Sequence, residues 1–420
     1  MSPRPDAGLS RTTLPNGLTV LSENVPGVRS VAFGAWVRAA SVHEQRERMG
    51  VSHLLEHMVF KGTPTRSARE IALALESLGG SLDAYTAREH TAYQARALDE
   101  HLEAAADVIA DLMFRPLLRA EDLKLERKVV LEEISTVEDT PDDLVFELHN
   151  EAMWGSHPYG YQILGTRETV SALGVKELRE LHTRAYNPPQ IVVACAGRVE
   201  HERLLDVLER TGWADIERGD DRALSVPAIA PAVPEVRHIE REGAQTHIVF
   251  GSPTVRYGDR RRFAIALVDT ILGGGMSSRL FQRVREELGL AYDVHTFQSF
   301  HPEAGVHGVY VGTAPQSARQ ATEAVREELS NLVAGSLTDA ELESGKRQLA
   351  GSVTLSLESV SARMHRAAGS ALFDEPFRTL DETLALIEAI TPDDVAAVCR
   401  EFYSPDRQTV LSLGPEPAAP

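Results

Sequence analysis

Cysteine is nearly absent from this 420-residue chain, which has only Cys195 and Cys399. Two thiols exclude a disulfide framework and a cysteine-rich zinc site. Long apolar runs are missing as well. No stretch approaches the roughly 18 apolar residues that a membrane-spanning helix needs, and the opening MSPRPDAGLSRTTLPNGLTVLSENVPG lacks the apolar centre of an export signal. The expectation is a cytoplasmic protein with no membrane partner. Positive charge is in short supply: 43 Lys+Arg stand against 62 Asp+Glu, a net charge of −19. That balance argues against nucleic acid or an anionic membrane as the main partner and permits a basic one. What remains, 43% hydrophobic and 25% charged residues, is the composition of a folded globular chain long enough for two or three cores.

The chain reads as one unit used twice. The segment after Leu173, GVKELRELHTRAYNPPQIVVACAG, matches the segment after Ile390, TPDDVAAVCREFYSPDRQTVLSLG, without a gap. Tyr186 aligns with Tyr403, and Gly197 with Gly414. Each copy predicts a helix, a proline turn and a strand ending at glycine. Between the halves, residues 217–236 combine a charged cluster with Pro227, Pro231 and Pro234, the composition of an extended connector. The predicted organisation is a domain at 1–216, a linker at 217–236 and a homologous domain at 237–420. The fold class is α+β, each domain a mostly antiparallel sheet packed with helices.

Chemistry concentrates at Val51-SHLLEHMVFKGT. His53 and His57, four apart on a helix, lie on one face with Cβ atoms about 6 Å apart, and Glu56 stands beside them. Two imidazoles so placed can chelate one Zn2+; the plainer reading is a pair of helix-face histidines salt-bridged by Glu56. Polar groups on a helix that also carries Leu54, Leu55, Met58, Val59 and Phe60 are costly without a partner. A catalytic zinc takes three protein ligands and keeps one position open. The predicted helix 121–139 can supply the third. Glu126 and Glu133 lie seven residues apart along one flank of its apolar stripe (Leu123, Val130, Ile134, Val137), while Glu132 is turned away by about 100°. Taken singly, any of these glutamates also reads as part of a solvated acidic face.

His53-Leu-Leu-Glu-His57 is the inverted zinc motif H-x-x-E-H. With Thr12-TLPNGLTV, Gly79-GSLDAYTAREHTAYQA, Glu126-RKVVLEEI and Ser278-RLFQRVREELGLAYDV, the chain resembles the pitrilysin-type inverzincins over nearly its whole length. It is most similar to their mitochondrial-processing-peptidase branch. The resemblance implies Zn2+, one per chain, on His53, His57 and Glu133, the glutamate some 76 residues beyond the second histidine. It also implies Glu126 as a supporting carboxylate and Glu56 as the base that activates zinc-bound water.

The second half has no counterpart of this set. The repeat places Thr270, Gly273 and Gly274 opposite His53, Glu56 and His57, and Ser352 or Ala350 opposite Glu133. The resemblance gives that half another role, closing over the substrate in a clamshell chamber and presenting Arg283 and Tyr292 to the bound peptide. It also implies that a strand containing Asp83, Ala84 and Tyr85 pairs with the substrate backbone; Asp83 departs from the asparagine usual there. The expected substrates are therefore unfolded or presequence-like peptides, basic ones included. The expected assembly is a homodimer, the commonest symmetric form. A catalytically silent peptide-binding or scaffold subunit of the same fold is the competing reading.

Overall fold

β-Branched and small residues of the first half pair into a six-stranded sheet of β1 (Ser10–Thr13), β2 (Thr19–Asn24), β3 (Ser30–Val37), β4 (Ser81–Thr86), β5 (Thr91–Leu98) and β6 (Ile191–Gly197). Their order is β1-β2-β6-β3-β5-β4. The second sheet contains β7 (Val236–Glu240), β8 (Thr246–Thr254), β9 (Ala291–Phe300), β10 (Gly305–Thr313) and β11 (Thr409–Gly414), ordered β7-β11-β8-β10-β9. Every pairing is antiparallel except β2 with β6 and β7 with β11. With β1 set aside, the two orders match strand for strand, down to the place of the parallel pair. The structure, a computed structural model, describes residues 8–415 apart from Ala223 and Ala232.

The duplicated glycines have a physical reason. Gly197 (φ +126°) and Gly414 (φ +155°) sit at equivalent strand ends. A Cβ on Gly197 would meet Ser30 O at 2.3 Å, and one on Gly414 would meet Thr246 Oγ1 at 2.6 Å. Neither the backbone angle nor the space admits a side chain.

Central strands are buried on both faces, so alternate side chains enter different cores. On β3, Phe33, Ala35 and Val37 join the helical core of the first half, whereas Ala32 and Trp36 pack against the helix Val360–Leu372 through Met364 and Ala367. That helix comes from the second half of the sequence. The second sheet has the reverse arrangement. The helix Pro141–Trp154, from the first half, lies on it, with Val145 buried against Val249 and Leu411 and with Phe146 stacked on Tyr310 at 5.5 Å. Contacts accordingly divide the chain into Met1–Ser135, Tyr161–Pro227 and Ser356–Thr379 as one unit, and Thr136–Gly160, Ala228–Leu355 and Leu380–Pro420 as the other. A sequential division at residues 217–236 does not contain this exchange of two helical segments. Both cysteines are buried and free. Among the described residues no helix is long and apolar enough to cross a membrane.

Candidate metal centre

The motif lies on the nine-residue helix Val51–Val59. Helices shorter than about 12 residues are marginal alone, so packing holds this one. Leu54, Leu55, Met58 and Val59 are buried in the core of the first unit, each contributing roughly 1.5–3 kcal/mol. With that stripe turned inward, His53 and His57 occupy the adjoining face, their side chains 12% and 18% exposed. Their ring centroids are 4.6 Å apart.

The helix Ala120–Asp139 brings Glu133 across from them. Its Oε2 lies 3.7 Å from His53 Nε2 and its Oε1 3.6 Å from His57 Nε2. Donor atoms of His53, His57 and Glu133 all lie within 4.8 Å of one another. Among the described residues they form the one cluster of three or more His, Cys, Asp or Glu with that property. Tetrahedral coordination at about 2.0–2.1 Å puts ligand atoms about 3.4 Å apart, so the spacing fits a zinc ion after a small adjustment. Two imidazoles and one carboxylate leave the fourth position open, as a catalytic zinc requires. Burial, reinforced by the neighbouring His57, depresses His53 to about 3, which keeps its lone pair free of a proton at neutral pH.

Support behind the ligands is uneven. His57 Nδ1 faces Glu126 Oε2 at 3.3 Å, and Lys61 Nζ donates to Glu126 Oε1 at 2.8 Å. Glu126 thus holds the tautomer that turns His57 Nε2 toward Glu133. His53 Nδ1 is buried with no hydrogen-bond partner among the described residues, so packing alone orients that ring. Glu126→Gln is expected to weaken zinc binding roughly 10- to 100-fold, read as a shifted Kd in competition with a chromophoric chelator; an unchanged Kd would make Glu126 a bystander.

Glu56 is buried on the same helix, and its Oε2 accepts a 2.5 Å hydrogen bond from Thr86 Oγ1. Burial raises its carboxyl pKa, opposed by the Thr86 bond and His57 and reinforced by the charges of Glu133 and Asp83. A carboxyl lifted in this way holds a proton more readily than an ordinary glutamate, as a group that takes and returns one must.

Thr86 ends β4, an edge of the first sheet. The turn closed by Ala87 N to His90 O sets the alternation of the ladder, so the backbone groups of Leu82, Ala84 and Thr86 point away from β5. Asp83 is exposed, and its Oδ1 accepts from Ala84 N at 2.9 Å. Tyr85 is committed elsewhere: its hydroxyl accepts from Trp36 Nε1 at 3.3 Å and its ring stacks on His365. Its backbone groups, in the other phase of the ladder, face Ala92 of β5, so the edge offers Leu82, Ala84 and Thr86 for pairing and not Tyr85.

Arg283 and Tyr292 belong to the second unit. Arg283 lies in a π-helical stretch, Phe281–Glu287, a geometry that is rare and frequent at functional sites. It forms ion pairs with Glu287 at 3.0 Å and Glu327 at 3.4 Å. Tyr292, on β9, is 77% exposed, with the Arg285 guanidinium 4.7 Å from its ring centroid. Three residues of the site are not evident from sequence patterning. Lys61 stands four beyond His57 in the same motif, so helical spacing is a usable signal for it. Thr86 and Glu44, which holds the amino end of the motif helix, leave none.

Residues 19–167 match the family model described as insulinase (peptidase family M16), and residues 172–349 match that of the peptidase M16 inactive domain. The chain is 39% identical to an uncharacterized zinc protease of Streptomyces coelicolor, covering 96% of this chain and 89% of the relative. It is 38% identical to one of Bacillus subtilis, covering 96% and 98%. Among solved structures, a protease from Helicobacter pylori matches with a TM-score of 0.91 at 21% identity, covering 97% of this chain and all of that one. A peptidase M16 inactive domain from Pseudomonas fluorescens matches at 0.89 and 21% identity, covering 98% and 99%. At that identity the likeness is one of fold.

Proposed function

The chain belongs to the M16 (insulinase) peptidase family, and on that premise we propose that it is a zinc-dependent endopeptidase acting, as a homodimer, on unfolded peptides. The observation that carries the reading is the cluster of His53, His57 and Glu133 with the buried carboxyl of Glu56 beside it. When bound there, zinc supplies a Lewis acid for the scissile carbonyl and for the attacking water. The other steps fall to the protein. Glu56, held by Thr86, takes the proton of the attacking water and passes it to the leaving amine. Glu126 keeps His57 oriented. The outward backbone groups of β4 pair with an extended peptide, which favours unfolded segments over folded proteins. Family resemblance assigns Arg283 and Tyr292 to the substrate, Tyr292 as a hydroxyl donor to the developing oxyanion. The charge of −19 favours basic, presequence-like peptides.

The test is metal content together with cleavage of a quenched, basic, unstructured peptide. The expected result is about one zinc per chain and cleavage that a chelator stops and added zinc restores. Zinc without cleavage of any peptide in a diverse set would favour the silent scaffold. A folded, zinc-supplemented protein with neither would remove the metal assignment.

A further inference from the structure

Most helices begin with Ser, Thr, Asp or Asn, whose side chain satisfies the first free N–H groups. The motif helix cannot. Its first flanking residue is Gly50, in the left-handed region at φ +88°, where a Cβ would lie 2.5 Å from Leu164 O and 2.9 Å from Gly165 Cα. Gly165 is constrained reciprocally, since a Cβ there would meet Met49 O at 2.4 Å. The two backbones pass too closely for a capping side chain at position 50. Glu44 supplies the cap from six residues upstream: Gly50 N donates to its Oε2 and Ser52 N to its Oε1, each at 2.8 Å.

Glu44 is only 8% exposed, and among the described residues no cation pairs with it. It lines a cavity of about 530 Å³ with Arg48, Arg184, Glu177 and Glu180, but Arg48 is held by Glu180 at 2.8 Å. The positive end of the motif helix is therefore what answers the buried carboxylate. His53 is the third residue of that helix. A divalent cation on its imidazole is thus held in the first turn, at the pole of the helix that disfavours positive charge.

We propose that Glu44 is a positioning residue for the metal, fixing the amino end of the motif helix and offsetting its positive pole so that a dication can sit on His53. The inference rests on the zinc reading above. The experiment measures zinc Kd by chelator competition on the full chain at pH 8, above the value of about 7 to which burial lifts the Glu44 carboxyl. Glu44→Gln keeps the size of the side chain and removes its charge, and is expected to raise Kd roughly 10- to 100-fold. Glu44→Asp retains the charge but draws it back by one methylene, and is expected to lie between native and Glu44→Gln, about threefold or more weaker than native. Glu70→Gln alters the exposed capping box of the next helix, Ala68–Glu76, and is expected to leave Kd unchanged. Native affinity in Glu44→Gln overturns the proposal, as does a Glu44→Asp variant as weak as the Gln variant. If Glu44→Gln does not fold, Glu44→Asp decides alone, since a carboxylate drawn back by one methylene should cost about threefold or more and an unchanged Kd overturns the proposal. A native chain that binds no zinc instead removes the reading on which the inference stands.

Discussion

Glu56→Gln is expected to retain about one zinc per chain while cleaving a quenched basic peptide at least about 10³-fold more slowly than the native protein. The substitution is nearly isosteric, and the amide oxygen can still accept from Thr86 Oγ1, which donates to Glu56 at 2.5 Å. Leu54, Leu55 and Met58 are untouched, so the helix stays seated in its core. The donor set of His53, His57 and Glu133 does not include Glu56, and removing its carboxylate deletes no ligand atom. What is lost is a group able to hold a proton between attack and departure of the amine. A 10³-fold loss corresponds to about 4 kcal/mol of transition-state stabilisation, within the range for removal of a general base. The loss should fall on kcat with KM little changed, because the carboxylate acts on the proton rather than on ground-state binding. Zinc analysis and steady-state kinetics on the same preparation decide it. Turnover within tenfold of native would move the proton acceptor to another residue; loss of zinc would make Glu56 part of the metal site.

Much of this arrangement is legible in the amino-acid sequence, because the relevant rules are local. The i, i+4 spacing of His53 and His57 needs only helical geometry, and the strand-final glycines 197 and 414 repeat at a fixed offset. The observed helix Ala120–Asp139 and the strands β6 and β11, which end at those glycines, fall where the sequence pattern places them. Helical facing narrows the third donor to Glu126 or Glu133, and family spacing chooses between them. What stays hidden depends on non-local contact. No periodicity in Val360–Leu372 tells which sheet its apolar face covers, because any apolar surface of matching shape satisfies the same burial term; only the packing of Met364 and Ala367 against Trp36 and Ala32 reveals it. Glu44 reads as one charge among Glu47, Arg46 and Arg48 until the close approach of Gly50 and Gly165 shows why a distant cap is needed. Family resemblance makes Tyr85 part of a substrate-pairing strand, yet strand alternation turns its ring toward Trp36 and His365.

Glu133→Gln should give the opposite signature to Glu56→Gln: metal affinity falls first and turnover follows. Replacing one carboxylate ligand by a neutral amide is expected to raise the zinc Kd by at least about 100-fold, the upper end of what loss of a partner behind a ligand costs. The apoprotein should be almost unaffected, since the Glu133 side chain is 38% exposed and the stripe of Leu123, Val130 and Ile134 anchors its helix. Linkage makes the difference visible without any substrate. At free zinc 100 times the native Kd, binding stabilises the native fold by about 2.7 kcal/mol, roughly 5–11 °C in Tm for a cooperative unit of 150–250 residues. The variant at the same free zinc would sit near its own Kd and gain only about 0.4 kcal/mol, on the order of 1 °C. Thermal melts of both proteins across a zinc-buffer series therefore measure the ligand role directly. A variant with the full zinc-dependent rise would require a different third donor. Glu126 could not take that place without rearrangement: seven residues put it about 10.5 Å away along the helix axis, and it already engages the far side of the His57 ring, at Nδ1 rather than Nε2. Tight zinc in Glu133→Gln combined with its loss in Glu126→Gln would thus mean that this helix shifts against the motif helix when metal binds.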